Sequence, residues 1–172
     1  MSLSAPAQGP RDPAFYRANV GLIVFNRDGL VFLGRRANSD GPWQWQFPQG
    51  GIDVGEEPME AAWRELAEET GLSQKSARLL RGHEPWLYYD FPPDILANGR
   101  GRFMGQRQKW FAFELTQPES AINLSAHKPI EFDAWKWVPL NDTPALTIPW
   151  KRPVYLAIAD AFSDLAKPEA AA

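Results

Sequence analysis

The sequence predicts an α/β (α+β) sandwich, in which one sheet of short strands packs against two helices. Three observations predict it. Short apolar or alternating runs, bounded by turn residues, recur at 20–25, 30–33, 43–47, 86–91, 109–115 and 135–138. Two further segments, 58–70 and 153–166, place apolar residues at helical spacings of three and four. The length of 172 residues suits one domain, and 44% hydrophobic residues are enough to fill its core.

The elements follow in order. Residues 1–13 are rich in Ser, Ala, Pro and Gly and read as a flexible leader, so the domain is expected over 14–166. Val20-Gly21-Leu22-Ile23-Val24-Phe25 is a buried strand, and Asn26-Arg27-Asp28-Gly29 turns the chain back into a second strand at 30–33. After a polar loop, Trp43 to Phe47 alternates as a strand that Pro48-Gln49-Gly50-Gly51 breaks. Pro58 suits the first turn of the next helix and Gly71 the position just past its end. Met59, Ala62, Trp63, Leu66 and Thr70 form its apolar stripe. Residues 92–105 read as a long loop, a length that is often functional. A closing helix at 153–166 buries Val154, Ile158, Ala161, Phe162 and Leu165, and 167–172 is a disordered tail.

Composition narrows the function. A net charge of −3 argues against general electrostatic attachment to nucleic acid, but leaves room for a polyphosphate held by a few local cations. The chain has no cysteine and only two histidines, His83 and His127, so a bound metal must rest mainly on carboxylates. No secretory signal or run of about 18 apolar residues is seen, so a cytoplasmic location without membrane or obligate protein partner is expected.

The chemistry concentrates on the first helix. Glu65, Glu68 and Glu69 lie at i, i+3 and i+4, on a face expected opposite the apolar stripe. Carboxylates at this spacing repel one another, and a divalent cation between them reverses the sign of that interaction. A bare cluster of this kind is often only a solvated face. Here the context is longer. Gly50, five residues, Glu56, seven residues, then Arg64-Glu65-Leu66-Ala67-Glu68-Glu69-Thr70-Gly71-Leu72 matches every specified position of the Nudix box.

The sequence thus resembles the Nudix hydrolases, over roughly residues 15 to 165. The resemblance implies an α/β/α sandwich around a mixed sheet with the box as loop–helix–loop, a Mg²⁺ or Mn²⁺ cofactor, and cleavage of a nucleoside diphosphate linked to another group. Glu65 and Glu69 match its main metal ligands, Glu68 a further ligand or base, and Gly50 a carbonyl that also contacts metal. Arg64 matches the arginine that orients a box glutamate, and Glu56 the glutamate that steadies loop and helix. Five segments narrow the resemblance to the branch of RNA pyrophosphohydrolases and plant-type diadenosine tetraphosphate hydrolases. They are 16–21, 45–51, 105–111, 131–135 and 151–155. Substrates expected are the 5′ end of RNA, which would become a 5′-monophosphate, or diadenosine tetraphosphate, cut to ATP and AMP. The remote alternative is a nucleotide-binding module without turnover.

Further roles come from the same resemblance. Glu131 matches an extra carboxylate that reaches the metal site from a loop, as base or ligand. Arg17 and Lys109 match positions near the phosphates, Arg35 follows the second strand and could face the cleft, and Lys151 is another available cation. Tyr89 matches a phosphate donor or is a half-buried sheet residue. Trp150 is a platform for a base or a core tryptophan. Segments 38–41 and 92–105 are the least family-like.

Overall fold

The computed structural model describes residues 11–98 and 101–166. The expected leader and tail fall mainly outside them. Arg11 is described, and its guanidinium pairs with Asp90 at 3.1 Å. Element order is β1 (Tyr16–Phe25), β2 (Val31–Arg36), β3 (Trp45–Gln46), β4 (Gln49–Gly51), α1 (Pro58–Thr70), β5 (Ala77–Asp90), α2 (Pro93–Ala97), β6 (Gly105–Leu115), β7 (Phe132–Val138), α3 (Thr143–Leu146) and α4 (Arg152–Ala161).

The seven strands make one mixed sheet in the order β3-β2-β1-β6-β5, with β4 on β1 and β7 on β2. β1 pairs antiparallel with β2 and β4 and parallel with β6. β1 lies at the centre of the sheet with a helix over each face, which is why residues 20–25 are almost uniformly apolar. Alternate residues feed two cores. Val20, Leu22, Val24, Phe111 and Phe113 pack under Ala62 and Leu66 of α1. Ile23, Phe25, Trp110 and Ala112 pack under Val154, Tyr155 and Ile158 of α4. The sandwich is therefore α1, sheet, α4. The β1–β2 turn closes as expected: the Asn26 side chain accepts from the N–H groups of Asp28 and Leu30, and Gly29 takes φ 74°.

Several expectations change. Strand β5 begins at Ala77 rather than Trp86, because its first half alternates charged and apolar residues and is broken by bulges. β6 likewise starts at Gly105. Gln49–Gly51, read as a strand break, forms its own strand on β1. The segment 92–105 contains the short helix α2. Finally, the acidic and apolar stripes of α1 abut rather than oppose. At 100° per residue, Glu69 falls beside Ala62 and Leu66, so it is drawn under the helix. Glu65 is 8% exposed and Glu69 5%.

Candidate active site

Local sequence fixes α1 at both ends. Pro58 starts it, the Glu60 carboxylate accepts from the Glu57 N–H, and Gly71 ends it in the left-handed region with its N–H on the Ala67 carbonyl. A side chain at Gly71 would also meet the backbone carbonyl of Asn123 at 2.7 Å.

Arg64 organises what lies between. Its Nε donates to Glu56 at 2.8 Å, and one terminal nitrogen donates to Glu56 at 2.9 Å and to the Gly51 carbonyl at 2.8 Å. The other donates to Glu65 at 2.7 Å and to Glu68 at 3.4 Å. Glu56 also accepts from the Asp53 N–H, so it ties the approach loop to the helix. The Arg64 fork holds the Glu56 carboxyl down at about 2 and raises its own affinity for a proton.

Glu65 and Glu69 are held differently. A Cβ on Gly50 would lie 1.9 Å from the Glu65 carboxyl carbon, so only glycine admits that carboxylate against β4. Glu69 accepts from the Gln49 N–H at 3.2 Å. Burial raises the pKa of Glu65, against the pull of Arg64. It pushes Glu69 well above the carboxylate range, and repulsion from Glu65 and Glu131 adds to the effect. A cleft of about 450 Å³ opens over these residues, lined also by Glu68, Glu131, His127 and Lys128. Glu131 is exposed and is anchored by its carbonyl, which accepts from Ala37.

These groups suit a hard divalent cation: oxygen donors, uncompensated negative charge, and a glycine cradle. Among the described residues, however, no three acidic or histidine side chains are gathered as a finished ligand set. The physical reason is visible: Arg64 takes one oxygen of Glu65 and draws on Glu68, while the Gln49 N–H takes one oxygen of Glu69.

A second, basic group lies beside Glu69, outside the lining of that cleft. Lys151 is buried, its ammonium is 5.6 Å from the centre of the Tyr89 ring, and burial with nearby Arg36 lowers its pKa to about 8, against the attraction of Glu69. Tyr89 is buried and donates to Gln106 at 2.5 Å. Arg17 is exposed and lies against Gly51, where a Cβ would meet its guanidinium at 2.5 Å. Two other cations are engaged elsewhere. Arg35 pairs with Asp133 at 2.7 Å, and Lys109 lies over Trp86 and bonds the Glu84 carbonyl. Like Lys151, Arg17 and Tyr89, neither is among the residues that line the carboxylate cleft. Trp150 is half-buried against the α4-side core.

Sequence reasoning gave no role to four polar residues beside the site. Gln108 donates to Asn19 at 2.8 Å and to Gln49 at 3.1 Å, and Gln106 receives Tyr89. A signal was present for one of them. Asn19 stands between Ala18 and Val20 at the head of an apolar strand, and a buried polar side chain there needs a partner or a ligand; Gln108, between Arg107 and Lys109, carries no such signal. His127 and Lys128 also went unplaced, because nothing local shows that their loop arches over α1.

Comparison with known proteins identifies the family and the fold. The NUDIX domain model matches residues 15–158. The chain is 50% identical over 155 residues to the RNA pyrophosphohydrolase of Caulobacter vibrioides, covering 88% of each chain. It is 46% identical over 158 residues to that of Acidiphilium cryptum, covering 91% of this chain and 95% of the relative. Among solved structures it superposes on a C. elegans Ap4A hydrolase binary complex with TM-score 0.61 at 20% identity, covering 86% of this chain and 98% of that one. The E. coli dihydroneopterin triphosphate pyrophosphohydrolase gives TM-score 0.63 at 19% identity, covering 85% and 98%, a likeness of fold. The chain belongs to the Nudix hydrolase family, in its RNA pyrophosphohydrolase branch.

Proposed function

We propose that the chain, acting through one domain over 14–166, is a metal-dependent RNA 5′-pyrophosphohydrolase that converts 5′-triphosphate or 5′-diphosphate ends to 5′-monophosphates. The observation that carries the chemistry is the buried Glu65–Glu69 pair set against Gly50, with Glu131 facing it across the cleft. The half-identical RNA pyrophosphohydrolases support the substrate.

Glu65, Glu68, Glu69, Glu131 and the Gly50 carbonyl would hold Mg²⁺ or Mn²⁺. When bound, such an ion polarises phosphate oxygens and eases deprotonation of water. The rest belongs to the chain. Arg64 acts as a positioning residue through Glu65. Glu68 or Glu131, the two more exposed carboxylates, takes the proton of the attacking water. Lys151, Arg17 and the Tyr89 hydroxyl supply positive charge and a donor for the phosphate chain. Trp150 offers a face to the first base. The reading sets the protein in the cytoplasm with no obligate protein partner.

Asymmetric cleavage of diadenosine tetraphosphate is the second reading, because the same basic group suits any polyphosphate bridge. A substrate panel separates the two: 5′-triphosphate RNA, diadenosine tetraphosphate and a nucleotide sugar, each with Mg²⁺ or Mn²⁺. We expect RNA ends to become monophosphates fastest. Turnover of the dinucleotide with RNA untouched would favour the second reading. No turnover of either would leave only a binding module.

A further inference from the structure

α1 covers its face of the sheet over Val20, Leu22, Val24, Phe111 and Phe113. Towards the start of β6 the same face is only half-buried by the described residues. Arg107 and Lys109 alternate with buried Gln108 and so point to this side, and Tyr88 stands opposite Arg107 in the β5–β6 pairing. Trp86 falls in the bulge between His83 and Leu87, outside the regular register. Its ring lies 4.3 Å from the Arg107 guanidinium and 5.4 Å from the Lys109 ammonium. Tyr16 meets Tyr88 edge-on at 5.0 Å.

The charges here are not neutralised. Among the described residues neither Arg107 nor Lys109 is in a salt bridge. Lys109 donates to a neutral carbonyl, that of Glu84, and the Arg107 Nε has no hydrogen-bond partner. Arg11 at the margin differs, because Asp90 already compensates it. A chain with a net charge of −3 thus keeps two uncompensated cations beside half-buried aromatic rings on this sheet face. Aromatic faces take bases and neighbouring cations take the phosphates between them, a combination that suits a single strand better than a duplex.

We infer that this face, centred on Trp86 and Arg107, binds single-stranded RNA beyond the nucleotides held in the cleft. The inference rests on the RNA reading above and gives that substrate a second point of attachment.

The test uses the intact protein and an RNA of about twelve nucleotides ending in a 5′-hydroxyl, which cannot be hydrolysed. Fluorescence anisotropy is read across a salt series. Wild type binds. Trp86→Ala and Arg107→Gln each weaken binding about tenfold, and Arg107→Gln lowers the slope against log salt by about one. Hydrolysis of a 5′-triphosphate dinucleotide stays at the wild-type rate in both variants. Arg107→Gln, a polar change on a half-buried surface, guards against misfolding of Trp86→Ala, and a melting curve checks each. Failure of wild type to bind, or equal binding by folded variants, overturns the inference. If wild type binds this RNA through Trp86 and Arg107 yet hydrolyses no triphosphate end, the pyrophosphohydrolase reading falls and the binding face stands.

Discussion

The glutamate helix and the basic group beside it manage charge in opposite ways. On α1, Arg64 gathers Glu56, Glu65, Glu68 and the Gly51 carbonyl into one hydrogen-bonded hub. Beside Glu69, Lys151 is buried with an aromatic ring for a neighbour and another cation nearby. The first arrangement is satisfied within the protein. The second holds a charge that the protein alone does not neutralise, which is the state expected of a group waiting for an anion. Glu69 stands between them, buried and repelled by Glu65 and Glu131, and drawn weakly by Lys151. Stability resides in the hub, and reactivity in the groups it leaves unsatisfied.

The largest effect should come from Glu69. Glu69→Gln keeps shape and removes the charge. Hydrolysis of 5′-triphosphate RNA should fall by at least about 10³-fold, since a metal-holding carboxylate contributes several kcal/mol to the transition state. The melting temperature should hold or rise. Glu69 has its pKa raised on folding, so its ionised form costs stability at neutral pH, and the neutral amide escapes that cost. Full activity in a folded Glu69→Gln protein would remove this residue from the chemistry.

Next comes the hub itself. Lysine at position 64 keeps the charge but cannot fork between Glu56, Glu65 and Gly51. Arg64→Lys should lower kcat by about 10–100-fold, through loss of Glu65 orientation. It should also cost about 1–3 kcal/mol of stability. Acid sharpens the comparison. Glu56 is depressed to about 2 by Arg64, so its contribution is complete above the ordinary value of 4.5 and is lost as pH falls from there towards 2. In Arg64→Lys the acid unfolding transition should therefore move to higher pH. Melting curves between pH 2 and 6 would show it, and an unchanged transition would mean that the hub adds no stability.

How much of this could be read from residues alone follows from where the information lies. The box is a local pattern, and a helix places Glu65, Glu68 and Glu69 by spacing, so the acidic wall was legible. Even there, the angle between the stripes was misjudged, although 100° per residue already sets Glu69 beside Ala62 and Leu66; what the sequence does not show is that Gly50 makes room for the Glu65 carboxylate. The basic group was legible only through resemblance. Lys151, Arg17 and Tyr89 come from three separate elements, and no spacing links them. Lys109 matches a position near the phosphates and Arg35 is read only from its place after the second strand; in the structure Lys109 lies over Trp86 and Arg35 pairs with Asp133. The side to which a strand residue points depends on register, which an irregularity at Arg35/Arg36 alters in β2.

The smallest expected effect tests the basic group for the cost it carries. Lys151 has a folded value of about 8 against an ordinary 10.5, so the unfolded chain binds the proton more tightly. Its protonated form therefore destabilises the fold fully below about pH 8, and the penalty fades as pH rises from 8 to 10.5. Lys151→Met preserves the length of the stem and removes the charge. At pH 7 it should gain about 1–3 kcal/mol of stability, and the gain over wild type should shrink steadily above pH 8. The same variant should raise KM for 5′-triphosphate RNA, since a donor to the phosphate chain is lost. Chemical denaturation at pH 7 and pH 10 separates this account from simple repacking. A gain that is the same at both pH values would show that Lys151 is not held charged at a cost, and the contrast between the glutamate helix and the basic group would then lie in geometry alone.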